Sequence, residues 1–162
     1  MDKTNRSAWG KRLLIFIAKF LLVSLPLFGL WIGWGYFYVY PVLSIAKSFV
    51  QIFGLPGSDP PVPFDICSSP IPFISLMVIT KHLKFQKRLS KVVIGLLILF
   101  IWHLVASVAL YLTMTDDNKL ILPQPFLFTA FITFLYIFNL TLPLLLWFFF
   151  VGKNRIKAVI LY

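Results

Sequence analysis

The amino-acid sequence predicts an all-α integral membrane protein: a single membrane domain over residues 1–162 with four transmembrane helices and both termini in the cytoplasm. Two observations carry that expectation. Residues 20–46, 92–115 and 120–152 contain no Asp, Glu, Lys or Arg, and each stretch exceeds the roughly 20 helical residues that cross a hydrocarbon core of about 30 Å. The basic residues form three clusters: Lys3, Arg6, Lys11, Arg12 and Lys19; Lys81, Lys84, Lys87, Arg88 and Lys91; and Lys153, Arg155 and Lys157. Only Lys47 and Lys119 lie elsewhere, and the positive-inside rule puts the three clusters on the cytoplasmic side. The segments carrying Asp59, Asp65, Asp116 and Asp117 then face outside, so the number of crossings is even.

The first span is expected over about 13–34, with Pro26 inside it and Trp31, Trp34 and Tyr36 as an aromatic belt at the outer headgroups. The basic N-terminus followed by an apolar run is the pattern of a signal peptide. The run continues through its aromatic residues without a small-x-small cleavage pattern, however, and is read as an uncleaved span. Residues 36–53 place Val39, Leu43, Ala46, Val50 and Phe53 at helical spacing with Lys47, Ser48 and Gln51 between them. Two arrangements fit: an interfacial helix lying on the outer surface, or an outward continuation of the first helix past a bend at Pro41.

Residues 54–63 hold Gly54, Pro56, Gly57, Pro60, Pro61 and Pro63 and predict an outside loop. The second span is expected over 66–82. Its uncharged part, 66–80, gives only about 22 Å of helix, with Pro70 and Pro72 tolerated in the first turn and Lys81 and Lys84 snorkelling to complete the crossing. The third and fourth spans are expected over 92–114 and 126–151. Asp116, Asp117 and Asn118 make the turn between these antiparallel neighbours.

Composition excludes several classes. The chain is 60% hydrophobic, 18% aromatic and only 12% charged, which leaves no room for a soluble domain. A net charge of +10 suits nucleic acid in a soluble protein. Here the basic residues adjoin apolar segments, so lipid phosphates are their nearest anions and nucleic acid is not an expected partner. The segment with Lys81, Lys84, Lys87, Arg88 and Lys91 is expected to set topology and to touch lipid headgroups or a cytoplasmic partner. The single cysteine, Cys67, rules out an internal disulfide and a multi-cysteine metal site.

Few residues invite chemistry. His103 and Asn139 fall near the middle of the third and fourth spans, where an unpartnered polar side chain is costly. Their matched depth predicts a structural hydrogen bond between neighbouring helices, with a proton relay as the sharper alternative. Heme is not expected, because the other histidine, His82, lies in the basic loop, and no cofactor or metal is predicted. Asp116 and Asp117 read as a solvated turn. Cys67 is expected at the outer membrane face near the start of the second helix, where the helix dipole favours a thiolate. On that placement His103 is half a membrane away, and no base stands beside the thiol.

In Cys67-Ser68-Ser69, followed by an apolar helix, a basic loop and another apolar helix, the chain loosely resembles the exosortase and archaeosortase group of membrane transpeptidases. It is also similar in plan to the small membrane proteins encoded alongside them: a basic N-terminus, Leu25-Pro26-Leu27 in the first helix, Tyr40-Pro41 at its exit, and Leu142-Pro143-Leu144-Leu145-Leu146-Trp147 in the last. The resemblance implies Cys67 as a nucleophile. The group's catalytic Arg has no counterpart, since residues 92–115 contain none, and its Gly after Cys-Ser is Ser69 here. Three functions are therefore weighed. The first is a non-enzymatic membrane subunit or accessory of a larger envelope complex, with lipids and membrane proteins as partners, in a bacterial inner membrane. The second is an exosortase-like thiol transpeptidase using Cys67. The third is a small transporter or proton-handling subunit using His103 and Asn139.

Overall fold

A computed structural model describes residues 3–53, 67–80, 83–113 and 125–152. They form five helices: α1 (Lys3–Trp34), α2 (Tyr36–Ile52), α3 (Pro70–Ile79), α4 (Phe85–Thr113) and α5 (Pro125–Val151). There is no strand among the described residues. The expected outside loop 54–63, the Asp116–Asp117 turn, Lys81, His82, Lys119 and the C-terminal basic cluster all lie outside the described residues.

Helix formation follows from a backbone that must satisfy its own polar groups wherever water is excluded. The interruption between α1 and α2 is a single residue, Gly35, and its backbone stays helical at φ −59° and ψ −25°. Its N–H donates to the Trp31 carbonyl at 2.7 Å, and its own carbonyl accepts from the Tyr38 and Val39 amides. Residues 3–52 therefore form one nearly continuous rod of about 75 Å, at about 1.5 Å per residue. Pro41 lies inside α2 and does not end it. The α2 face with Val39, Val42, Ala46 and Val50 is buried. Ala46 and Val50 pack on Tyr111 and Val108 of α4, while Tyr38 packs on Phe100 and His103. The two helices thus run side by side in the same direction.

Three helices are long and apolar enough to cross a membrane, over Gly10–Trp34, Phe85–Leu112 and Thr129–Val151. The expected second span behaves differently. Its helix is only Pro70–Ile79, about 15 Å long, half of a hydrocarbon core. Pro70 and Pro72 occupy its first turn, and Thr80 leaves the helix at ψ 83°.

This short helix is nonetheless the centre of the packing, touching α1, α4 and α5. Phe73, Leu76 and Met77 join Leu83, Leu99, Trp147 and Val151 in the main core, with Phe16 and Phe20 of α1 against it. Gly95 on α4 makes this approach possible. A Cβ there would sit 2.1 Å from Cζ of Phe73, so only a glycine admits the ring. The Trp147 indole N–H donates to Thr80 Oγ1 at 2.9 Å, and that hydroxyl donates to the Leu76 carbonyl at 2.7 Å. At the far end of α5, Gly152 takes φ 78° and closes the helix, its N–H donating a hydrogen bond to the Phe148 carbonyl at 3.0 Å.

Candidate functional site

His103 is the most connected polar residue of the interior. It sits on α4 with no exposed surface and meets side chains from three other segments. The Tyr38 hydroxyl is 2.8 Å from Nδ1, Ser69 Oγ is 2.9 Å from Nε2, and Asn139 Oδ1 is 3.1 Å from the same nitrogen. Tyr38 is set by α2, one turn beyond Gly35. Its ring stands edge-on to both Phe100 and the imidazole and leans on Trp31 at 5.5 Å. Ser69 is the residue before α3, and Asn139 is in the middle of α5.

The proton inventory closes. With the proton on Nε2, that N–H is shared between Asn139 Oδ1 and Ser69 Oγ, while the Tyr38 O–H donates to Nδ1. If the two hydroxyls rotate and the amide flips, the opposite tautomer is also accommodated: Nδ1–H donates to Tyr38, and Ser69 or the Asn139 amide donates to the single lone pair of Nε2. The cluster therefore accommodates either tautomer of the imidazole.

His103 and Asn139, both singled out from sequence, are brought together here, and Cys67 joins their neighbourhood. The thiol is fully buried and lies two residues before Ser69. This corrects the expectation that His103 lies half a membrane from the Cys67 segment. The reason is the length of α3. A ten-residue helix packed beside the middle of α4 begins inside the bundle.

Chemically, a hydroxyl within 2.9 Å of an imidazole nitrogen is the nucleophile-and-base arrangement of acyl transfer. Tyr38 occupies the orienting position that a carboxylate holds in a catalytic triad. Burial opposes turnover: Cys67, Ser69, His103 and Asn139 are at most 4% exposed. Among the described residues no three His, Cys, Asp or Glu side chains converge as a metal set. In the sequence Ser69 stands out only as a departure from Gly, and nothing there distinguishes Tyr38. Helical spacing within one segment carries no signal for a meeting of four segments.

The basic segment divides by task. Lys84 and Lys87 are exposed. Arg88 instead reaches back to α3, its guanidinium donating to the Val78 carbonyl at 3.1 Å and the Leu83 carbonyl at 3.5 Å. Lys91 Nζ donates to the Phe150 carbonyl at the end of α5. Val78 and Phe150 lie in last helical turns, whose carbonyls lack intrahelical partners and carry the negative end of the dipole. Two of the cations expected at lipid headgroups thus close the ends of neighbouring helices.

Comparison with family models, curated proteins and solved structures gives no match for this chain.

Proposed function

We propose that this chain is a non-enzymatic small integral membrane subunit or accessory protein of a larger envelope complex. One observation carries the reading: four interior polar side chains are spent on one another, while the outward side of α1 is apolar. Tyr38, Ser69, His103 and Asn139 bind each other in a site closed by packing, which ties α2, α3, α4 and α5 together. Meanwhile Leu14, Leu22, Leu25, Leu30 and Ile32 turn the apolar side of α1 outward, toward lipid or a partner's helices. In this reading the basic clusters are cytoplasmic and the chain crosses a bacterial inner membrane four times, with α3 in one of the crossings. Affinity purification from the native membrane tests it. Comigration with a large complex on a native gel is the expected result, and a clean monomer would overturn it.

A second reading is favoured by one distance. Ser69 at 2.9 Å from His103, with Cys67 two residues earlier, brings an imidazole into the neighbourhood of the Cys67 segment, where the sequence alone offered no base. That supports a membrane thiol transpeptidase like the exosortases, with Cys67 as nucleophile and His103 as proton acceptor. Its test is modification of Cys67 in the native protein, which a site open to substrate requires.

A further inference from the structure

We propose that the groove between the first turns of α4 and the last turn of α5 binds one anionic phospholipid. Lys87, Ser90 and Lys91 hold its phosphate, and one acyl chain lies along Ile94 and Phe150. The groove has a volume of about 450 Å³ and is lined by Gln86, Lys87, Ser90, Lys91, Ile94 and Phe150. Gln86 with Ser90, and Lys87 with Lys91, are four residues apart and form two adjacent rows on one face of α4.

The order of this lining is what selects a lipid. Passing along α4 it changes from cations and neutral donors to hydrocarbon within two turns, in the direction of the apolar length of the helix. A phosphodiester bearing a chain matches that order. A free phosphate uses only the polar end, and a nucleic acid has no use for Ile94 and Phe150. Lys91 donates one of its three N–H groups to the Phe150 carbonyl, which fixes the ammonium at the rim and leaves two donors for phosphate oxygens. All five acidic residues of the chain lie outside the described residues. Among the described residues, then, no carboxylate neutralises Lys87 or Lys91. The proposal narrows the lipid contact of the basic segment to two of its lysines and rests only on membrane insertion, not on the identity of a partner.

The test uses the full chain in detergent, titrated with phosphatidylglycerol, phosphatidylcholine or inorganic phosphate and read by native mass spectrometry. One phosphatidylglycerol retained per chain, in preference to phosphatidylcholine, is the expected result. Lys87→Gln touches no helix end and is expected to weaken retention about fivefold, whereas Lys84→Gln, which removes the same charge outside the groove, leaves it unchanged. Equal retention of phosphatidylcholine, equal losses in the two variants, or displacement of the lipid by millimolar inorganic phosphate would each overturn the proposal.

Discussion

Ser69 Oγ lies 2.9 Å from His103 Nε2, although 34 positions separate them in the chain. That contact places the start of α3 at the middle of α4, and from it follow the burial of Cys67 and the closure of the polar cluster. Without it His103 would keep Tyr38 and Asn139 as side-chain partners and lose the only link from the cluster to the α3 segment among the contacts described above.

Replacing His103 by Leu removes the shared partner of Tyr38, Ser69 and Asn139. The expected cost is about 1–3 kcal/mol, the desolvation penalty of leaving buried polar groups unpaired. The double variant His103→Leu with Asn139→Leu should lose less than the sum of the two single losses, by about 0.6–2 kcal/mol. Unfolding in detergent measures all three, and strict additivity would remove the contact.

Cys67 should resist alkylation in the native protein, because its side chain has no exposed surface. A membrane-permeant maleimide is expected to leave it unmodified in native membranes and to label it fully once the chain is unfolded in dodecyl sulfate. Rapid labelling of the native protein would reverse the order of the two proposed functions.

Gly95→Ala places a methyl group 2.1 Å from the Phe73 ring. Overpacking of this kind costs about 1–3 kcal/mol. Shortening the obstacle in the same chain, with Phe73→Leu, should recover part of the loss. Thermal unfolding of the single and paired variants reads the effect, and an alanine as stable as the parent would show that α3 and α4 do not approach as described.

Arg88→Gln should loosen α3, since the Val78 and Leu83 carbonyls lose a charged donor. A loss of about 1–2 kcal/mol is expected, discounted for the partial exposure of the arginine. Arg88→Lys should restore less than half of it, because an ammonium cannot reproduce the two-pronged reach of a guanidinium. Proteolysis near residue 80 measures the opening, and equal protection in all three proteins would assign Arg88 to the surface alone.

Much of the helical plan is legible in the sequence. The expected spans 13–34, 92–114 and 126–151 mark α1, α4 and α5 to within a residue at most of their ends; the exceptions are the N-terminal ends of α1 and α4, which begin at Lys3 and Phe85 and not at 13 and 92. Charged side chains end an apolar stretch without ending a helix, because Lys and Arg are good helix formers and extend into solvent. Of the stripe expected in residues 36–53, Val39, Ala46 and Val50 are buried, but Val42 takes the place of Leu43 at its centre and Phe53 is exposed just past the end of the helix. Pro41, read as the bend, is accommodated inside the helix, and the interruption falls at Gly35.

What the sequence determined by itself is the hydrocarbon-compatible helical character of the chain and the isolation of its few polar residues. Both are properties of single segments, set by transfer free energy and by the need of each backbone to bond with itself. Which polar groups meet was decided only by tertiary structure. The depth of α3 is set by the fit of Phe73 against Gly95 and of Trp147 against Thr80, and that depth brings Ser69, and Cys67 with it, to His103. Such a fit belongs to pairs of surfaces, and no periodicity within one helix encodes it.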